Sequence, residues 1–265
     1  MSNYWQDRET DTLNRISNKT IRQTEKQMKR YYSDLMERTL KDFEATYNKI
    51  LLAREEGKEP TPADLYKLDT YWQHQAQLRE ELNKLGEKQI ALLSKQFELN
   101  WFEIYYSIGN VGDKAFSTVD RQMVQQMING IWCADGKNWS QRVWKNTELL
   151  AQTLNEELIH CVAAGKKTTE LKKILMNRFN ASYENADMLV RTEIAHIQTQ
   201  AALKRYQDAG ITQVQIWASK DERQCKHCGK LHKTKYLIGE AVPIPAHPNC
   251  RCNVVPVVDT TFGED

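Results

Sequence analysis

From Trp5 to Glu56 the chain contains neither proline nor glycine, so nothing in its backbone chemistry interrupts a helix over that span. Within it Met28, Tyr32, Leu35, Phe43, Tyr47 and Ile50 recur at spacings of three, four or their sums, which puts them on one helical face. Gly57 and Pro60-Thr61-Pro62-Ala63-Asp64 break the run. Thr61 is placed to cap a second helix, with Pro62 in its first turn and Asp64 at the positive end of its dipole. An extended helical hairpin is therefore predicted. Its second arm runs from about Ala63 to Ile108, where Leu78, Leu82, Leu85, Gln89, Leu92, Gln96 and Leu99 step by four and three. That is a packing seam, and with two glutamines in it the partner is the first helix, another subunit or in part water.

Gly109-Asn110-Val111-Gly112 marks the next break. After it Phe116, Val119, Met123, Met127 and Ile131 predict a shorter helix ending near Gly130. Ser140 is expected to cap a helix through Val143, Trp144, Leu149, Leu150, Leu154, Leu158 and Val162, closed by Gly165. Thr168 or Thr169 would start the next helix and Ser182 a further one, the last ending at Gly210. Beyond Gly210 the pattern changes. Val214-Gln215-Ile216-Trp217 and Asn253-Val254-Val255-Pro256-Val257-Val258 have the character of short strands around a loop rich in Cys, His, Lys, Gly and Pro. The predicted fold is mainly α with a small α+β carboxy-terminal domain. The expected divisions are 1–112 for the hairpin, 113–210 for further helices, 211–258 for the strand-loop segment, and 259–265 for a tail without a further domain.

Four of the six cysteines, Cys225, Cys228, Cys250 and Cys252, fall in that loop. The amino terminus lacks an apolar signal core, and no run of about 18 apolar residues exists. A cytoplasmic site of synthesis is expected, and in a reducing compartment the cluster reads as a metal site rather than a disulfide framework. The spacing is Cys225-x-x-Cys228, then His247-x-x-Cys250-x-Cys252. A Cys-x-x-Cys turn aims two thiolates at one ion, and a pair from a distant loop completes the tetrahedron Zn²⁺ prefers. Five residues compete for four places. Cys225, Cys228 and Cys250 are favoured, with either His247 or Cys252 as the fourth, and His227 and His232 outside. A sphere filled by protein ligands makes the zinc structural, a staple for a loop too poor in apolar residues to bury a core.

Enzymatic uses of zinc have their own signatures. No His or Cys is followed by Glu two places on, as a nucleobase deaminase requires, and His-Glu-x-x-His is absent. Glu193 and His196 lie three apart on a helix, where neighbourly packing is commoner than acid/base chemistry. Arg191 and Glu193 do not share a face, and Asp221 and Arg223 are their expected partners, docking helix to loop. With 37 basic and 35 acidic residues the chain as a whole demands no nucleic acid. Lys220, Arg223, Lys226, Lys230, Lys233, Lys235 and Arg251 outnumber Asp221, Glu222 and Glu240 in the loop, which suits either a solvated face or contact with phosphates.

Trp139-Ser140, Gly165, the Arg191-Thr192-Glu193 helix, Gly210, Trp217, Asp221-x-Arg223-x-Cys225-x-x-Cys228 and His247-Pro248-Asn249-Cys250-Arg251-Cys252 together resemble the Mu F-like minor head protein domain of tailed phages, over roughly residues 115 to 258. The resemblance implies a virion protein of head morphogenesis, inside the capsid near the portal vertex and made in a bacterial host's cytoplasm. Its implied partners are the portal protein and other capsid or scaffolding proteins, with packaged DNA as a further contact of the basic loop and self-association as a second use of the helical arms. No enzymatic activity and no membrane are expected. A zinc-dependent nucleic-acid-binding or HNH-like nuclease module is the competing expectation.

Overall fold

A computed structural model describes residues 3–52, 63, 66, 69–109, 118–219 and 224–257. Its elements are α1 (Tyr4–Leu52), α2 (Asp69–Ser107), α3 (Arg121–Asn129), α4 (Trp139–Ala163), α5 (Thr168–Asp208), β1 (Gln213–Trp217), α6 (Lys226–Leu231), β2 (Lys235–Leu237) and β3 (Asn253–Pro256). The mainly helical fold with a small sheet is as predicted. The expected turn at Gly57 and Pro60–Asp64 lies outside the described residues except for Ala63, as do Asn110–Gly112, Phe116, Lys220–Arg223 and the 259–265 tail.

The chain forms two compact units. One comprises residues 25–92 and 137–187, the other 1–24, 93–136 and 188–265. Within each, α1 and α2 pair antiparallel. In the first unit Arg38 meets Glu81 at 2.7 Å, and Phe43 packs edge-on against His74 with ring centroids 4.3 Å apart. In the second, Lys19 reaches Glu103 at 3.0 Å and Asn100 donates to Ser17 and Thr20. As the number rises along one helix it falls along the other, which is the signature of a hairpin.

These helices also serve as core. In the first unit the Tyr32 hydroxyl lies 3.3 Å from that of Ser182, Tyr47 donates to the carbonyl of Cys161 at the end of α4, and Tyr71 donates to Asn155. Each hydroxyl satisfies a polar group that burial would otherwise leave unpaired.

Four local expectations are corrected. Leu99 is not in the seam: it is 48% exposed, whereas Leu93, Phe97, Trp101 and Ile104 are buried. A heptad stripe on a straight helix drifts by about 20° every seven residues, so from Leu78 to Leu99 the strict repeat turns about 60° away and the buried face passes to residues spaced at 3.6. In α3 a step of four residues overshoots a full turn by about 40°, so the buried residues are Val124 and Ile128 rather than Met123 and Met127, and Ile131, beyond the helix end, is exposed. The cap of α4 is Asn138 and not Ser140. Asn138 accepts from the Gln141 backbone N–H, and the Gln141 side chain returns a bond to the Asn138 N–H. Finally, α5 is one helix of 41 residues. Ser182 does not start a new one, because its carbonyl, inside the helix, takes a bond from Asn146 and no glycine or proline interrupts 168–208. Gly165 and Gly210 do close α4 and α5, at φ 60° and 80°, a conformation glycine adopts without steric cost.

Gly86 sits in the middle of α2, where a Cβ would lie 2.5 Å from the ring of Trp144. On helix propensity alone Gly86→Ala gains about 1 kcal/mol. The ring contact reverses the sign, and we expect a loss of about 1–2 kcal/mol from overpacking, read by thermal or urea unfolding. In a Trp144→Ala background the same substitution should stabilise.

Candidate metal centre

The sheet order is β2-β1-β3, all antiparallel, with Val214 opposite Tyr236 and Ile216 opposite Val254. Strands β1 and β3 are the two predicted from sequence; β2 was not. The sheet holds both ends of the cysteine loop. After β1 the chain enters α6, a helix of six residues capped by Cys225. The Cys225 sulfur accepts the Cys228 backbone N–H at 3.3 Å, and this bond, ahead of other causes, draws the Cys225 thiol below its ordinary range. Cys228, one turn on, is buried, and burial pushes its thiol up to about 12.

The second pair comes from the segment before β3. His247 gives the proton on Nδ1 to the Pro248 carbonyl at 2.8 Å. Its Nε2 lone pair then faces the sulfurs of Cys225 at 3.4 Å and Cys228 at 3.2 Å. Such an outer hydrogen bond orients a ligating imidazole. The Cys250 N–H closes a turn on the His247 carbonyl at 3.1 Å, with Asn249 at φ 60°, and its sulfur reaches that of Cys228 at 3.8 Å. Cys252 lies within 4.8 Å of both Cys228 and Cys250. A side-chain hydrogen bond from Cys252 is the largest cause lowering Cys250 to about 5, and the same bond drives Cys252 far above its usual range.

All five predicted residues therefore converge, as two triplets sharing Cys228: Cys225, Cys228 and His247, and Cys228, Cys250 and Cys252. The donor set fits a tetrahedral thiophilic ion. Bonds of about 2.3 Å to sulfur and about 2.0 Å to nitrogen set S···S edges near 3.8 Å and S···N edges near 3.5 Å in such a site, close to the separations here. His227 is exposed, and His232 takes the Ala218 N–H on Nδ1 at 3.2 Å beside the Trp217 ring. Both stand outside the cluster, as predicted.

The cluster is keyed to α5 by a residue sequence reasoning passed over. The Asn249 N–H donates to the Thr192 hydroxyl at 3.1 Å. Thr192 is the middle of the Arg191-Thr192-Glu193 motif, and the expected partners Asp221 and Arg223 lie outside the described residues. Glu193 is buried and accepts the Trp132 indole N–H at 2.9 Å. Trp132 in turn stacks on His196, centroids 4.2 Å apart and planes 6° from parallel. Burial pushes His196 down to about 4. The two side chains weighed as an acid/base pair are thus packed under a tryptophan. Lys226, Lys230, Lys233, Lys235 and Arg251 are exposed around the cluster, with Lys233 5.5 Å over the Trp217 ring.

Residues 152–255 match the family described as "Phage Mu protein F like protein". A curated relative is the protein named NAD(+)--arginine ADP-ribosyltransferase EFV of Enterococcus faecalis (strain ATCC 700802 / V583), 25% identical over 186 residues. The match takes in 63% of this chain but only 38% of that protein's length. No solved structure matches.

Two outcomes follow from the geometry. Thr192→Val removes the acceptor under Asn249 and should weaken binding of Zn²⁺ or Co²⁺ by about tenfold, the usual scale for an outer hydrogen bond, as read by competition titration. His196 is held neutral in the fold, so its contribution is full above the ordinary value of 6.5 and is lost as pH falls toward 4. Across that window wild type should lose up to ~3 kcal/mol relative to His196→Phe, measured by urea unfolding at a series of pH values.

Proposed function

Residues 152–255 form a Phage Mu protein F like domain, and from that premise we propose that the chain is a phage minor head protein, carried in the virion and acting by protein-protein contact during capsid assembly. The single observation that supports the contact role is the closed cysteine–histidine cluster, docked on α5 through Thr192. A centre ringed by five protein donors offers rigidity, and its exposed rim offers a surface. The portal protein is the proposed partner, with other capsid or scaffolding proteins next to it.

The proposed ion is a structural Zn²⁺ held by Cys225, Cys228, His247 and Cys250. When bound, zinc crosslinks the α6 turn to the segment before β3. The chain's own groups do the rest: Pro248 orients the imidazole, the Cys228 N–H steadies the Cys225 thiolate, and the Cys252 thiol donates to Cys250. The exposed lysines of the rim make packaged DNA a secondary contact. No described helix is long and apolar enough to cross a membrane.

The relative's printed name favours one competing reading, an ADP-ribosyltransferase. Against it stands the packing of Glu193 and His196 under Trp132, which occupies the acid/base candidates of this domain. The proposal places the transferase activity of that relative in the part of its length that this chain does not match.

Four measurements test the proposal. Native mass spectrometry should find one zinc per chain, lost on replacing Cys225, Cys228, His247 or Cys250 by Ser or Ala and retained in Cys252→Ala. Co-purification with the cognate portal at moderate salt, and recovery from intact particles, should both succeed. Transfer of labelled ADP-ribose from NAD to an arginine acceptor would instead establish the transferase reading.

A further inference from the structure

The amino-terminal turns of α1 are fastened, in their unit, by a row of side-chain hydrogen bonds to the elements around the cluster. Asp7 accepts the Trp217 indole N–H at 2.9 Å, Asn14 accepts from Asn253 at 3.1 Å, and Ser17 donates to Gln198. Between them sits Glu9, whose Oε1 lies 2.7 Å from the Tyr206 hydroxyl. That hydroxyl also lies 3.3 Å from the Val254 carbonyl.

One phenolic proton cannot serve two acceptors. With Glu9 ionised, Tyr206 gives its proton to the carboxylate and the contact with Val254 is only a close approach of two oxygens. With Glu9 protonated, the carboxylic acid donates to the Tyr206 oxygen and Tyr206 donates to Val254, so every group in the chain of three is satisfied. Tyr206 is fully buried, which makes the unsatisfied arrangement the costlier one.

We propose that Glu9, Tyr206 and the Val254 carbonyl form a proton-operated clasp that holds the first turns of α1 more tightly when Glu9 is protonated. The charged neighbours do not oppose this. On α1, Asp7 is engaged by Trp217; on α5, Arg205 directs its guanidinium to the carbonyls of Ile108 and Gly109, and Asp208 is taken by Lys204 and Tyr105. From β3 the group facing the clasp is a neutral carbonyl.

Burial raises Glu9 from 4.5 to about 6, against the lowering effect of the Tyr206 bond. A folded value above the unfolded one contributes stability that is full below the unfolded value and lost as pH rises through the folded one. Between pH 5.5 and pH 7.5 the opening constant of the clasp should therefore rise about fourfold.

The test is amide hydrogen exchange over residues 3–24 of the full chain, loaded with zinc, at both pH values and corrected for intrinsic rates. Wild type should open about fourfold more at pH 7.5, while Glu9→Gln, which keeps a donor at position 9 at every pH, should be flat and at least as protected as wild type at pH 7.5. Tyr206→Phe should lower protection at both. An equal pH dependence in wild type and Glu9→Gln, or a Glu9→Gln chain that loses the fold, would overturn the clasp.

Discussion

The unit that carries the cysteine cluster depends on one stretch of helix, residues 188–208 of α5, because α1, α2, β3 and the segments at Trp132 and Asn249 are all hydrogen-bonded to it. Thr192 receives the turn at Asn249. Glu193 and His196 hold Trp132. Gln198 joins Ser17 of α1 to Asn253 of β3. Arg205 reaches the carbonyls of Ile108 and Gly109, where a cation complements the negative end of α2. Burying so many polar groups on one helix is costly unless each finds its partner. The partners come from distant parts of the sequence, so the same bonds that satisfy the helix also fix where α1, α2 and β3 sit within this unit.

That arrangement explains why the cysteine loop can be so poor in apolar residues. Among residues 224–252 the buried apolar contribution is Ile244 with Cys228, Cys250 and Cys252, far too little to order a segment of this length against its conformational entropy. Order is supplied from two sides instead. The sheet anchors both ends through β1 and β3, whose residues are largely buried, and the proposed Zn²⁺ would add a crosslink between the converging thiols and imidazole.

The parts of this architecture that were legible in the sequence are those written in backbone chemistry and short spacing. A proline- and glycine-free run gave α1, the leucine seam gave α2 in spite of Gly86, Gly165 and Gly210 gave the ends of α4 and α5, and the Cys-x-x-Cys and His-x-x-Cys-x-Cys spacing gave the members of the cluster. What was illegible depends on phase and on tertiary partners. The Leu99 assignment failed because a heptad count carries an angular error that grows with length. Ser182 has the chemistry of a helix start, yet its backbone groups are met inside α5, where Asn146 and Tyr32 supply the outside contacts. Thr192 was visible only as one letter of a motif whose charged members drew attention. Its hydroxyl matters because Asn249 arrives there from 57 residues away, and no local pattern encodes that meeting.

The geometry of the cluster also sets what the outside of its loop presents. The cysteine and histidine donors stand as two triplets that share Cys228, with Cys228, Cys250 and Cys252 all buried. On the outside of the loop Lys226, Lys230, Lys233, Lys235 and Arg251 are exposed, while Glu240, the acidic residue of this segment, is turned onto the Leu237 N–H at 2.8 Å. With its carboxylate engaged in closing the edge of β2, the rim presents mainly positive charge. Positive charge of this kind complements an acidic surface or a phosphate backbone.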